Sequence, residues 1–372
     1  MLSFAVTSRD DAGRARRGTL ELRRGTVETP VFAPVATRAT VKGIVPEQLR
    51  GCGTQMLLAN TYHLELTPGA ETIEQLGGLH HFMAWDRPIL TDSGGYQVFS
   101  LADLRDITEE GVEFKSPRDG STMFLGPREA VQIQEQLGSD IAMVFDECPP
   151  YPSSREDVSK AVERTLRWAQ TSREVHDRPD QALFGIVQGG IYEELRQDCA
   201  RRLTAMEFDG YAIGGVSVGE EEELRRQAVD FTIPLLPEDK PRYLMGVGFP
   251  EDLLEAVGQG IDMFDCVAPT RMGRNATAFT RDGRVRIRNS AHTHSNEPLE
   301  DGCECPTCRL YSRGYINHLF RCREMLGPIL LSLHNVHFYH RLMEGAREAI
   351  QAGDFTHFKD EFLCRYNRET NR

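Results

Sequence analysis

No apolar run in this chain approaches the roughly 20 residues that a membrane-spanning helix needs. The opening stretch MLSFAVTSRDDAGRARRG lacks the charged, apolar and small-residue order of a secretory signal, so a cytoplasmic protein with no membrane partner is expected. Short-period repeats and low-complexity tracts are missing, which favours one large domain with an appendage over disorder. A disulfide framework is missing too. The nine cysteines are an odd number and three of them fall within six residues, which suits a reducing compartment and a metal ion. A net positive charge is missing as well: 43 Lys and Arg against 56 Asp and Glu leave -13, which ordinarily argues against a nucleic-acid partner.

What the chain does have begins with bulk. At 372 residues, 40% of them hydrophobic, it can bury roughly 75% of its unfolded surface. Its basic residues are also concentrated. Residues 271 to 288 hold Arg271, Arg274, Arg281, Arg284, Arg286 and Arg288 against Asp282 alone, and residues 1 to 50 hold nine Arg or Lys against five acids. A local basic surface on an acidic body still binds phosphates, with an affinity that falls as salt rises. The same six arginines also suit a solvated β-hairpin.

Eight strand-like apolar runs bounded by turn residues recur: VFAPV (31 to 35), QMLLAN (55 to 60), PILTD (88 to 92), IAMVFD (141 to 146), ALFGIVQ (182 to 188), GYAIGG (210 to 215), RYLMGV (242 to 247) and IDMFDC (261 to 266). Helical patterns lie between several of them. Ala130, Ile133 and Leu137 share one face after Pro127, and Val158, Ala161, Val162, Thr165 and Ala169 share another behind a capping box at Ser153 and Glu156. Eight buried strands alternating with helices predict an α/β fold, a (β/α)8 TIM barrel, and the cysteines crowded at 303 to 308 add a C-terminal zinc-binding subdomain. Expected boundaries are 1–285 for the barrel with an N-terminal extension, 286–345 for the zinc subdomain and 346–372 for a helical segment packing back on the barrel. Asn60, Asp92, Asp146, Gln188 and Asp265 then end apolar runs at the face where barrel active sites lie.

The stretch CECPTC supplies Cys303, Cys305 and Cys308 in a turn with Pro306. Structural zinc takes four Cys or His ligands in a tetrahedron, and His318, Cys322, His334 and His337 are all available as the fourth. A closed shell of this kind braces a fold and leaves no open position for water. Elsewhere, LTDSGGYQVFS sets Asp92 before paired glycines, whose backbone can approach a ligand closely, and before Tyr96, which can stack on a planar base. An amide at Gln188, a carboxylate at Asp146 and bare backbone at Gly215 can read donors and acceptors on a purine edge. Glu220 to Glu223 read as acids of a first helical turn. Two aspartates at one mouth suggest glycosyl chemistry: one carboxylate attacks the anomeric carbon, the other manages protons, and a second base in place of water makes the outcome an exchange.

These motifs, with FAPVAT, LLANTYHL, FDECPPYP, FGIVQGG, YAIGGVSVGE, YLMGVG, GIDMFDCVAPTR and SLHN in order along almost the whole chain, resemble the bacterial tRNA-guanine transglycosylases, also called queuine tRNA-ribosyltransferases. The resemblance implies a homodimeric barrel enzyme of queuosine biosynthesis that exchanges guanine at the wobble position of tRNAs with GUN anticodons (those for aspartate, asparagine, histidine and tyrosine) for 7-aminomethyl-7-deazaguanine. It implies Asp265 as nucleophile and Asp92 as general acid/base. Asp92, Ser93, Gly94, Gly95, Tyr96, Asp146, Gln188 and Gly215 would hold the base. RNA contacts would come from Gly246, Val247, Gly248, Phe249, Pro250, Glu251 and Asp252, and from Thr270, Arg271, Met272, Gly273 and Arg274. One structural zinc per subunit would sit on Cys303, Cys305, Cys308 and His334, with no organic cofactor.

Cys148 and Val218 match the bacterial pattern, and Val218 would crowd the bulkier cyclopentenediol of queuine, so the short amine is the expected substrate. The chain departs from the commonest pattern at QGG, where some members have QGS, and at Val216, where leucine is common. A non-catalytic tRNA-binding subunit would have no use for both aspartates. A zinc hydrolase of the amidohydrolase type should carry its histidine pair after the first strand, whereas the His-x-His here lies at 292 to 294. The same chemistry on DNA or on another tRNA position is the remaining alternative.

Overall fold

The computed structural model describes residues 2–101 and 105–370. A three-stranded antiparallel sheet comes first: β1 (Ser3–Arg9), β2 (Arg16–Leu22) and β3 (Gly25–Thr29). The chain then enters a closed parallel barrel built from β4 (Val31–Ala36), β5 (Leu57–Asn60), β6 (Ile89–Asp92), β10 (Ile141–Met143), β11 (Ala182–Val187), β12 (Gly210–Ile213), β13 (Arg242–Leu244) and β14 (Met263–Cys266), with β14 pairing back onto β4. Each of the eight expected runs supplies one barrel strand. A second antiparallel sheet, β7 (Arg105–Ile107), β8 (Val112–Lys115) and β9 (Thr122–Leu125), is inserted after β6, and the hairpin β15 (Thr277–Thr280) and β16 (Gly283–Arg286) follows the barrel. The segment of arginines is therefore in part a hairpin, as the bland alternative had it.

The strands read as unbroken apolar runs because both faces are covered: β11 is buried at every residue, and so are β5, β6 and β12. The covering helices obey the predicted stripes. In helix Pro127–Leu137 the buried set includes Ala130, Ile133 and Leu137, and in helix Arg155–Val175 it includes Val158, Ala161, Val162, Thr165 and Ala169. One cap moves by a residue. Ser154, not Ser153, is the N-cap, accepting from the Asp157 amide at 3.2 Å, while the Ser153 hydroxyl donates back to the Pro150 carbonyl at 2.5 Å.

The N-terminal ends of the strands are clamped by buried charge. Arg16 on β2 donates from Nε and a terminal nitrogen to Asp262, at 2.9 and 2.5 Å, with both side chains fully buried. Asp262 also accepts from the Arg242 amide at 2.7 Å, so the pair ties the N-terminal sheet to two barrel strands. Asp140 does the same beneath β6, accepting from the Ile89 amide at 2.8 Å and bonding His80 at 2.9 Å. This end holds the barrel together and leaves the opposite face free for chemistry.

Beyond the hairpin, helices Pro306–Leu310 and Arg313–Cys322 lead into the long helix Leu326–Ala352, and helix Phe355–Thr370 closes the chain. The border expected between residues 345 and 346 lies inside the long helix, so the cysteine-rich segment and the C-terminal part share one element. Residues 371 and 372 of the expected 346–372 segment, and residues 1 and 102–104 of the first, lie outside the described residues. Among the described residues no helix is long and apolar enough to cross a membrane.

Candidate active site

Parallel register carries the polar strand ends to one rim. Asn60 and Asp92 are register partners at the ends of β5 and β6, and Asp265 lies opposite Ala33 on β4. Asp92 is buried and densely held: Asn60 Nδ2 donates to one carboxylate oxygen, Gln97 Nε2 approaches the same oxygen at 3.3 Å, and the Thr61 amide donates to the other at 3.0 Å. Burial pushes its carboxyl up to about 7, against the Thr61 amide bond and with help from the negative charge of Asp265. Asp265 is only partly buried. Its Oδ1 accepts from the Tyr243 hydroxyl at 2.5 Å and from the Gly246 amide at 2.9 Å. Burial raises this carboxyl as well, and those two donors oppose the rise. Both donors meet one oxygen, which leaves the second without a hydrogen-bond partner among the described residues and available as an attacking atom.

Beside the aspartates lies a pocket of glycine turns. Asp146, just beyond β10, accepts from Gln188 Nε2 at 2.6 Å and from the Ser93 hydroxyl at 3.3 Å. Burial pushes Asp146 up to about 6, and the Gln188 and Ser93 bonds resist. With its nitrogen committed, Gln188 is left with a buried Oε1 that has no partner, an acceptor waiting for an N–H. Backbone closeness is enforced at two points. A Cβ on Gly95 would lie 2.6 Å from the Asp146 carbonyl, and one on Gly215, whose φ is +63°, would lie 2.3 Å from Gln188 Oε1. Ser93, Gly94 and Gly95 are buried, whereas Tyr96 on helix Gly95–Leu101 is 49% exposed, leaving a ring face free for a base. Cys148 is buried, and Val218 is partly exposed on the turn after Gly215.

That turn holds a correction. Glu220 precedes the helix Glu222–Thr232, and its carboxylate accepts from the amides of Ser217 and Val218 at 2.5 and 2.9 Å. Only Glu222 and Glu223 are acids of the first turn. Sequence reading also missed Tyr243 and Gln97 as partners of the aspartates. A tyrosine inside an apolar run reads as core, and nothing in strand periodicity says that its hydroxyl reaches the neighbouring strand's carboxylate.

The charged flank divides into spent and unspent cations. Arg281 pairs with Glu300 at 3.2 Å, and Arg284 pairs with Glu251 at 2.5 Å while its guanidinium lies 4.6 Å from the Phe249 ring centroid. Asp252 is likewise taken by Arg225 at 2.5 Å. Arg271 and Arg274, on helix Ala268–Arg274, have no carboxylate within ion-pair distance among the described residues, and one terminal nitrogen of Arg274 is buried without a partner. Burial, and then repulsion from Arg271, hold Arg274 below its ordinary pKa. Of the other residues on these two segments, Gly246 and Phe249 are exposed, Met272 is partly so, and Val247, Gly248, Pro250, Thr270 and Gly273 are buried.

Away from this rim, Cys303, Cys305, Cys308 and His334 bring three sulfurs and one nitrogen within 4.8 Å of one another, a group that could hold a metal ion. His334 Nε2 donates to the Phe279 carbonyl at 2.7 Å, which fixes the tautomer and points the Nδ1 lone pair at the three thiols, at 3.3 to 3.8 Å. The other candidates for fourth ligand are not in this group. His318 and Cys322 face each other at 3.7 Å, and His337 lines a groove on the outer side of Cys303, with Arg341 and Phe362. Cys52 is outside this group, its thiol lying 3.9 Å from the Leu333 carbonyl.

Compared with known proteins, residues 10–368 match the family model described as queuine tRNA-ribosyltransferase. The chain is similar to the queuine tRNA-ribosyltransferase of Pelotomaculum thermopropionicum, 55% identical over 98% of this chain and 99% of that protein. Those of Halothermothrix orenii (52%, covering 98% of each chain) and Caldanaerobacter subterraneus subsp. tengcongensis (53%, covering 99% of each) are similar over the same extent.

Proposed function

The chain belongs to the queuine tRNA-ribosyltransferase family, and on that premise we propose that it exchanges guanine at the wobble position of GUN-anticodon tRNAs for 7-aminomethyl-7-deazaguanine through a ribosyl-Asp265 ester. The coarser activity, tRNA-guanine transglycosylation in queuosine synthesis, follows from the family itself. One observation carries the finer reading: a buried carboxyl held near neutral pKa faces a second carboxylate with one oxygen free, at the mouth of a barrel.

The free oxygen of Asp265 attacks C1′ of the ribose as the bond to guanine breaks, and the departing base takes the electron pair and a proton from Asp92. The incoming base then returns a proton to Asp92, and its ring nitrogen displaces Asp265 from C1′. Charge and atoms balance across the two halves. Supporting the base-edge assignment are the free Oε1 of Gln188, the carboxylate of Asp146 and the close turn at Gly215. Val218 and Cys148 support the small aminomethyl substituent. The unpaired Arg271 and Arg274 support an RNA phosphate contact, and the exposed Gly246 and Phe249 suit an RNA surface. Cys303, Cys305, Cys308 and His334 suit one zinc ion, whose closed shell would supply folding energy and no activated water. Leu310, exposed by 73% two residues after Cys308, and Met325, exposed by 81% at the start of the long helix, suit surfaces covered by a second copy of the chain. A cytoplasmic location fits such an enzyme.

The direct test is incubation with radiolabelled guanine and unmodified tRNA, then mapping of the label. Label confined to position 34 of GUN tRNAs is expected; label at another position, or in DNA alone, would falsify the assignment. The acid role has its own signature. Since the proton must be on Asp92 when guanine leaves, the single-turnover rate of adduct formation should fall about tenfold per pH unit above pH ~7. Asp92→Asn should be slow at every pH and lose that limb. A wild-type profile flat from pH 6 to 9 would assign the proton elsewhere.

A further inference from the structure

Arg196 is fully buried on helix Glu193–Thr204, and it makes no ion pair among the described residues. Its guanidinium is spent on backbone instead. Nε donates to the Gly190 carbonyl at 2.5 Å, one terminal nitrogen donates to the carbonyls of Gly214 and Gly215 at 3.1 and 3.2 Å, and the other has no partner. Burial pushes the group down to about 10, so it keeps its charge at neutral pH. An uncompensated buried cation is costly, and an apolar residue of similar volume would be the stabilising choice if packing were the only demand. Yet the three carbonyls it holds belong to two turns that flank Gln188 and end at Gly215.

The surroundings leave little slack. A Cβ on Gly189 would lie 2.6 Å from the Arg196 amide nitrogen and 2.7 Å from its Cγ, and the Gly215 position lies against both Gln188 Oε1 and Arg196. Arg196 occupies the Gly215 carbonyl while the N–H of that residue is directed at the buried Cys148 sulfur, so the turn is held from both sides and the unpartnered Gln188 Oε1 beside it is the group left to face a ligand. Arg196 also ties the Gly190 turn, next to Gln188, to the Gly214 turn. The spacing between the Gln188 amide and the Gly215 backbone is thereby set by one side chain.

We propose that Arg196 is the positioning residue of the base pocket, holding the Gly190 and Gly214–Gly215 turns so that the unpartnered Gln188 Oε1 is set against one edge of the exchanged base. It touches no substrate, and the inference rests on the base-exchange activity proposed above. The test is steady-state exchange by Arg196→Lys, Arg196→Met and Arg196→Gln, with guanine and tRNA varied separately and melting temperature measured alongside. Loss of two or three carbonyl bonds should raise the guanine KM at least ~10-fold in the Met and Gln variants, with the tRNA KM changed less than ~3-fold. Arg196→Lys, which keeps charge and one donor set, should recover part of the loss. A merely structural residue would lower the melting temperature and leave the guanine KM of the folded molecules untouched, and that result overturns the proposal. So does an equal rise in both KM values. Should the Met and Gln variants not fold, Arg196→Lys alone decides on the same split. If the wild type exchanges no guanine, the activity assignment fails instead, and calorimetric binding of guanine to wild type and Arg196→Lys judges Arg196 separately: equal affinity overturns its role.

Discussion

Asp265→Asn is expected to bind tRNA as the wild type does and to exchange guanine at least ~10³-fold more slowly, a loss of about 4 kcal/mol of transition-state stabilisation. The substitution is nearly isosteric. Tyr243 and the Gly246 amide, at 2.5 and 2.9 Å from Oδ1, can still donate to an amide oxygen, so the fold should persist while the nucleophile is lost. Denaturing gels of enzyme with labelled tRNA should show a retarded adduct for the wild type and none for the variant. An adduct of undiminished yield would mean that another group attacks. Asp265 also raises the pKa of Asp92, and removal of its charge should move the apparent ionisation of Asp92 downwards, a shift that adduct-independent titration can read.

Stripping the metal is the second large effect, and it should fall on stability. A structural zinc contributes about 10–16 kcal/mol in small zinc-finger peptides. Here the four ligands join the turn at 303–308 to the middle of the long helix. Chelation, or Cys305→Ser, should lower the melting temperature by at least about 5 °C, measured by calorimetry with metal content determined in parallel. Base exchange per folded molecule should change less than ~3-fold, since the closed shell offers no position to substrate. Metal-free protein with an unchanged melting transition would remove the structural role. A large drop in exchange at constant stability would move the metal into the chemistry.

The barrel was legible because parallel strands covered on both faces leave continuous apolar runs. VFAPV and ALFGIVQ announce β4 and β11 for this reason, and the polar residue that ends a run marks the reactive rim. Legibility stops where a side chain's partner comes from another strand or loop. Tyr243 reads as core, yet its hydroxyl serves Asp265. Glu220 sits in a row of acids, and only the turn before the helix separates it from Glu222. Arg196 belongs to a largely polar helix and reads as solvent-facing. The arginines of 271 to 288 look alike in sequence, but Glu300 and Glu251 neutralise two of them from distant segments. The metal cluster was readable as to three ligands from spacing alone; the fourth depended on which helix face met the cysteine turn.

The long helix Leu326–Ala352 carries His334 to the cysteines and sets Asn335 between the Phe279 amide and the carbonyls of Pro269 and Thr277, at 2.9 to 3.0 Å. One turn further, the Tyr339 hydroxyl reaches the Gly248 carbonyl. Three attachments, to the cysteine turn, to the strand leaving Arg274 and to the loop beyond Tyr243, are thus spaced along a single rod within six residues. Inserting or deleting one residue there would swing everything beyond it by about 100° and shift it by about 1.5 Å, breaking register with all that follows. Any change of length is therefore tolerated only outside the interval from His334 to Tyr339, which is fixed as rigidly as the spacing of teeth on a key.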